Sequence, residues 1–291
     1  MARTPSRGME TSINFRLILL PTNVIFLQGG TARKPTFNNC MNIITFTTDL
    51  GTEDHYAGVL KARLLRHLQD VYFVDITHQI DPFDVQQAAH VLGAACFSFP
   101  PGTVHVAVVA VENANGHRCI FFEKNGHYFA GPDNGIFPLA LGELPRDIFT
   151  MPPSGSVMED IAAAAAGMAA GNPLPEMGGV TGNVKVLHKL QMPINDDLIK
   201  TSVVYIDRFG NVVCGIQQSD FEAARRNRSF SVEFGKRESI VQISQSYSDV
   251  VPGERLCLFN DSGYLEIAVN QGNAHELLAL NINDIILIEF T

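Results

Sequence analysis

The sequence predicts an α/β domain followed by a smaller all-β barrel, and three observations carry that reading. From residue 42 to about 170, short apolar runs alternate with stretches whose apolar residues recur at helical spacing. Around Gly171 the texture changes to Asn172-Pro-Leu-Pro-Glu176 and Gly178-Gly179, a cluster of chain-breaking residues. Beyond residue 200, short β-rich runs follow one another with turn signals between them and little helical pattern.

Taken in order, Ile43 to Thr47 reads as a buried strand ending at Asp49-Leu50-Gly51, and Tyr56 to Leu68 as a helix. Tyr72 to Ile76 is the next strand, and Asp84 to Ala95 a helix with Asp84 at its positive end. Val104 to Val111 is a long apolar strand, with a composition fit for burial on both faces. Arg118 to Phe122 and Tyr128 to Ala130 are expected to pair. Asp160 to Ala170 is a helix whose five consecutive alanines fit close packing. The barrel strands are Thr201 to Ile206, Val212 to Ile216, Phe230 to Phe234, Ile240 to Ile243, Arg255 to Phe259, Tyr264 to Val269 and Ile285 to Phe290. The expected domains are residues 41–171 and 201–291, joined by a linker over 172–200.

The first forty residues stand apart. Their apolar run is broken by Pro21-Thr22-Asn23, which fits neither a secretory core nor a membrane span. Met41 lies directly before the first strong strand, so it is the expected true start and residues 1–40 a non-native or disordered extension. A poor export signal is the alternative.

The chain has 291 residues, 46% hydrophobic and 18% charged, as in folded globular proteins. A net charge of −9 argues against sequence-independent nucleic-acid binding and against a basic membrane-surface patch. It leaves room for a small cationic ligand such as a sulfonium. The five cysteines, Cys40, Cys96, Cys119, Cys214 and Cys257, are scattered and form no CxxC. They are expected as reduced, mostly buried thiols in a cytoplasmic protein. The nine histidines show no metal-binding spacing. GxGxxG, GxxxxGK[ST] and GxSxG are all absent.

Several motifs fall beyond strand ends or between strands, where ligands collect in such folds. Asp49, ending the first strand, can accept two ribose hydroxyls, or it can simply cap the following helix. Asp81-Pro-Phe-Asp-Val85 holds Phe83 in a proline-fixed turn, as a ligand wall or as a packed ring. Pro132-Asp-Asn-Gly135 is a turn signature. Asp207-Arg-Phe-Gly-Asn211 offers a carboxylate, a ring and an amide within five residues. Phe209 can stack on a base and Asn211 can bond its edge. A plain β-turn is the other reading.

In sequence order, Thr48-Asp-Leu-Gly-Thr-Glu-Asp54-His-Tyr56, Val74-Asp-Ile-Thr-His78, Asp81-Pro-Phe-Asp-Val85, Phe99-Pro-Pro-Gly-Thr-Val-His105, Pro132-Asp-Asn-Gly135, Asp207-Arg-Phe-Gly-Asn211 and Gly263-Tyr-Leu-Glu-Ile-Ala-Val-Asn-Gln-Gly272 resemble the S-adenosylmethionine (SAM) hydroxide adenosyltransferase family. Fluorinases and chlorinases belong to the same superfamily. The resemblance covers about residues 41–291. It implies an α/β domain, a carboxyl-terminal barrel and a homotrimer with SAM between subunits, and no cofactor besides SAM itself. By position, Asp49 would hold the ribose hydroxyls and Phe83 would line the ribose. Phe209 and Tyr247 would sandwich the adenine, and Asn211 would bond its edge. Asp54 and Asp207 would face the methionine ammonium. The strand through Val269 and Asn270 would offer backbone groups to the base.

The family's water-activating Asp-Arg-His set is replaced. The Asp position holds Ala110, the Arg position His117, and the best match to the His is Ser156. Asp261 stands where the family prefers Ser near the ligand carboxylate, which an acid would repel. The resemblance thus implies hydrolysis of SAM to adenosine and methionine, with Glu112, His117 or Arg118 as substitute acid–base groups. A non-catalytic SAM or adenosine binder is the alternative, and a SAM-dependent halogenase a lesser one.

Overall fold

The computed structural model describes residues 42–291, except 115, 117, 188–196 and 236–237. Residues 1–40 and His117 therefore lie outside the described residues. The first sheet contains β1 (Asn42–Thr48), β2 (Val71–Thr77), β3 (Val104–Val108), β4 (Cys119–Lys124), β5 (His127–Pro132), β6 (Phe149–Thr150) and β7 (Gly179–Val180). Its order is β2-β1-β3-β5-β4-β6-β7. The pairs β1–β2, β1–β3 and β3–β5 are parallel, and the pairs from β4 outward are antiparallel.

Helices cover both faces. α1 (Tyr56–Leu65) and α4 (Val157–Ala169) pack Leu60, Leu64, Ile161 and the alanines 162 and 164–166 against Ile44, Phe46 and Val106. α2 (Val85–Ala95) and α3 (Ile136–Leu141) bury Ala88, Leu92 and Phe137 on the other face. Asp84 and Ser156 cap α2 and α4 through the amides of Gln87 and Glu159. Glu159 and Asp160 sit in the first turn of α4, where acids suit the helix dipole.

The barrel strand expected over Ile240 to Ile243 lies instead over Glu238–Ile240, with Ile243 in an isolated bridge to Cys257, and two further expectations shift. The strand expected to reach Val111 ends at Val108, because Ala110 takes a left-handed conformation (φ 47°) and a short 3₁₀ turn follows over Val111–Asn113. The segment after Gly171 contains α5 (Leu174–Met177), and its β7 extends the first sheet beside β6.

The second sheet is entirely antiparallel. It contains β8 (Leu198–Ile206), β9 (Val212–Gln217), β10 (Phe230–Phe234), β11 (Glu238–Ile240), β12 (Arg255–Phe259), β13 (Tyr264–Val269) and β14 (Ile285–Phe290). The order is β11-β10-β14-β8-β9-β13-β12, and an Ile243–Cys257 bridge brings its two ends together into a nearly closed barrel. Its interior holds Val203, Val212, Cys214, Leu265, Ile267, Ile286 and Ile288. Short helices α6 (Gln218–Arg225) and α7 (Ala274–Leu278) decorate it. The two halves meet where His90 of α2 stacks on Tyr205 at 4.9 Å and edges Tyr264 at 5.1 Å. Among the described residues no helix is long and apolar enough to cross a membrane.

Candidate functional site

The strand order 2-1-3 places a switch point between β1 and β3, the position where open α/β sheets open a ligand crevice. Asp49 follows β1 directly at that point. Its Oδ2 accepts two backbone amides at 3.0 Å each, from Ala110 beyond β3 and from Phe83 before α2. Both donors are non-glycine residues at positive φ, 68° for Phe83 and 47° for Ala110. Such backbone persists where its surroundings over-determine it and clusters at ligand sites. Asp49 is half-buried, while the Phe83 ring is 66% exposed. The ring therefore faces solvent rather than a core, and the Phe83 residue meets Asp49 through its backbone amide.

A groove of about 750 Å³ opens beside this tip. His55 and Tyr56 at the start of α1, Arg63, Glu112 and Ser156 line it. Ser156 is the N-cap of α4, so its hydroxyl already accepts the Glu159 amide at 3.4 Å. Arg63 pairs with Glu159 at 3.0 Å. Glu112 and Asp54 are both exposed.

Arg118 is committed elsewhere. Its Nε and Nη2 donate to Asp133 Oδ2 at 2.8 and 2.6 Å, its Nη1 to Thr181 Oγ1 at 3.2 Å, and Nη2 also to the Asn183 carbonyl. Asp133, fully buried, accepts the Lys185 amide at 2.8 Å through its other oxygen. Asn134 donates to the Val109 carbonyl at 2.8 Å and accepts the Ile136 amide at 3.2 Å. The Pro132–Gly135 turn thus buttresses the β3 tip and binds the segment after β7 to it.

In the barrel half, Asp207, Phe209, Asn211, Tyr247 and Val269 line one depression of about 580 Å³, with Gln271, Gly272 and Asn273. The Asp207 carboxylate organises the turn. Oδ1 accepts the amides of Phe209 and Asn211 at 2.8 Å each, and Oδ2 the Asn211 side-chain amide at 3.0 Å. This turns Phe209 outward, 76% exposed. Gly210 has φ 81°, and a Cβ there would collide with the Asn273 side chain.

Tyr247 begins a 3₁₀ turn closed by a Ser246/Asp249 capping box. Its hydroxyl donates to Glu266 Oε1 at 2.7 Å, and Asn260 donates to Oε2 at 3.2 Å. Glu266 is 3% exposed, and burial pushes its carboxyl above the ordinary carboxylate range. Burial and this same carboxylate push the Tyr247 phenol up. Asn270 spends its backbone N–H and C=O on Glu254 and Gly253, and its side chain on the Val250 carbonyl at 2.7 Å. Asp261 is exposed in the β12–β13 turn.

The fold therefore gathers five of the expected ligand residues in the barrel depression and sets Asp49 and Phe83 together at the switch point. Asp49 lines neither the depression nor the groove. Gln271 and Gly272 end the Gly263–Gly272 motif but carry no ligand role in the sequence reading, and Asn273 lies just beyond it. Asn273 reaches the depression by a long-range approach, its side chain filling the space beside Gly210 that a Cβ would need. Among the described residues no group of three His, Cys, Asp or Glu side chains is arranged to hold a metal.

Family models for the SAM hydroxide adenosyltransferase N-terminal and C-terminal domains match residues 44–178 and 201–287. An (R)-S-adenosyl-L-methionine hydrolase of Methanocaldococcus jannaschii is 31% identical over 264 residues, covering 85% of this chain and 95% of that protein. One from Salinispora tropica is 32% identical, covering 83% and 95%. A fluorinase from Actinopolyspora mzabensis is 23% identical, covering 78% and 90%. The crystal structure of an uncharacterized conserved protein from Thermotoga maritima superposes with a TM-score of 0.74 at 31% identity, covering 84% of this chain and 99% of that one. Paired domains of the right kind and order, with a carboxylate at the switch point and an aromatic depression on the barrel, place this chain in the SAM hydroxide adenosyltransferase family.

Proposed function

We propose that this protein binds SAM and hydrolyses it to adenosine and methionine. Water attacks the ribose 5′ carbon, the carbon–sulfur bond breaks with its electron pair on the methionine sulfur, and a proton is released. The sulfonium is already a good leaving group, so the protein's task is positioning and exclusion of bulk water. The observation that carries the reading is the barrel depression, where Phe209 and Tyr247 offer two rings beside Asn211. Asp49 is the ribose ligand and Phe83 the wall beside it. Asp54 and Asp207 face the ammonium, and Val269 and Asn270 border the base.

Asp49 lies outside the barrel depression, which fits a site shared between protomers, one protomer's Asp49 meeting its neighbour's Phe209 and Tyr247 in the homotrimer that the family resemblance implies. A cytoplasmic location fits a SAM-consuming enzyme. Of the acid–base candidates, Glu112 lines the groove beside the Asp49 tip, whereas the Arg118 guanidinium is already spent on Asp133. Incubating the purified protein with SAM and following adenosine and methionine by chromatography tests the reaction, and light scattering tests the trimer. A folded trimer that leaves SAM intact excludes hydrolysis.

One observation favours a second reading, a non-catalytic nucleoside binder. Ala110 contributes only a backbone amide where the family carries an acid, and Ser156 is occupied as a helix cap. Calorimetric binding of SAM or adenosine without turnover is its signature.

A further inference from the structure

Behind Asp49 lies a line of side chains that ligand contact does not use. Thr48 Oγ1 and His78 Nδ1 are 2.7 Å apart, and both residues are buried. The same hydroxyl oxygen accepts the Leu50 amide at 3.3 Å. Across the ring, His78 Nε2 stands 3.1 Å from Asp75 Oδ1, near enough for the carboxylate to attract an N–H dipole there, though without the alignment of a full hydrogen bond. Asp75 is held in turn by Lys61 Nζ at 2.7 Å. Two main-chain bonds run alongside, Gly51 N to His78 O at 2.8 Å and Ile80 N to Thr48 O at 3.2 Å.

The direction of this chain follows from its charges. The Asp75 carboxylate draws the ring proton of a neutral His78 to Nε2 and leaves Nδ1 as an acceptor. The Thr48 hydroxyl then donates to Nδ1 and turns a lone pair to the Leu50 N–H. Burial, the largest influence on the ring, lowers its proton affinity and keeps it neutral. The peptide groups on either side of Asp49 are thereby fixed from behind. In front, both of its hydrogen bonds fall on Oδ2, so Oδ1 is aimed by the backbone.

We propose that Thr48 and His78 are positioning residues for the ribose-binding carboxylate: the ring of His78, oriented by Asp75, locks the Thr48 hydroxyl and with it the backbone that presents Asp49. The proposal rests on the reading of Asp49 as the ribose ligand. It differs from a merely structural role in one respect. Loss of the lock lowers affinity for the ribose diol and spares the rest of the nucleoside.

The test compares adenosine with 2′,3′-dideoxyadenosine, which lacks the diol, by calorimetry on the full chain. Wild type prefers adenosine. Thr48→Val, which deletes one hydroxyl at nearly constant shape, reduces that preference about fivefold to tenfold, the value of one hydrogen bond. Thr48→Ser retains the preference. His78→Leu loses it, and His78→Asn, whose side-chain oxygen can take the place of Nδ1, restores part of it. Should Thr48→Val fail to fold, the His78→Leu and His78→Asn pair carries the same comparison. Variants that weaken both nucleosides equally, or keep the preference while Asp49→Asn abolishes it, overturn the positioning role and leave the ribose reading standing. A wild type that does not distinguish the two nucleosides overturns both.

Discussion

Replacing Asp49 with alanine tests the switch point from two sides. On the stability side, the carboxylate satisfies the amides of Ala110 and Phe83 at 3.0 Å each. Ala110 is buried, so its N–H is left without a partner, at a cost of about 1–3 kcal/mol. Phe83 is exposed, and water replaces its lost partner. Domains of this size lose roughly 2–4 °C in Tm per kcal/mol, so Asp49→Ala should melt about 2–12 °C lower. Asp49→Asn keeps a carbonyl for the same amides and should melt much closer to wild type. On the binding side, two hydroxyls bonded to an ionised acceptor are worth about 1.5–3 kcal/mol each. Both variants should therefore bind adenosine at least tenfold more weakly, and Asp49→Ala by 100-fold or more. Thermal melts and calorimetry with adenosine and free adenine measure the two effects separately. If Asp49→Ala keeps wild-type Tm, the hydrogen-bond account is wrong. If it keeps wild-type adenosine affinity, the ribose assignment is wrong.

Phe209→Ala should weaken adenosine about 5- to 150-fold, from a stacking loss of roughly 1–3 kcal/mol, with little change in Tm because the ring is 76% exposed. Calorimetry and a melt check this pair of outcomes. Gly210→Ala should lower both Tm and adenosine affinity, since its φ of 81° and the neighbouring Asn273 side chain leave no place for a Cβ; Gly210→Ser should be no better. His105 bonds Thr45 at 2.8 Å and His127 at 3.1 Å. Burial, then His127, holds its pKa down to about 3, below the usual 6.5. The unfolded chain takes up a proton below pH 6.5 that the folded chain refuses, so stability is full above pH 6.5 and falls as pH drops toward 3. The fall is about 1.4 kcal/mol per pH unit in that window. Urea titrations at pH 7.5 and 5 should show it for wild type and a shallower slope for His105→Gln; identical slopes would refute the assignment.

Much of this molecule is legible along the chain because its signals are local. The alternation of β1, α1, β2, α2 and β3 comes from apolar periodicity, and the Asp84 cap from one residue type at one helix end. The Asp207–Asn211 turn is likewise local, since a carboxylate closes onto amides two and four residues ahead. The end of β3 was misplaced because nothing local marks Ala110 for a left-handed conformation. That conformation accompanies the reach of Asp49 across 61 residues. Arg118 reads in the sequence as the start of a strand and a substitute acid–base group, and only the fold brings Asp133, Thr181 and Asn183 around it.

The sequence by itself determined the two-domain order, the elements of each half and the residue types offered to a ligand, because periodicity and turn chemistry act over a few residues. The tertiary structure decided which carboxylates stay open to a ligand and which are consumed. Asp133 is buried under Arg118, Glu266 is buried under Tyr247, and Asp49 is held by two distant amides at the switch point. The physical reason is that a side chain's chemistry depends on its hydrogen-bond partners and its burial. Both are set by strand order and packing between segments far apart in the chain.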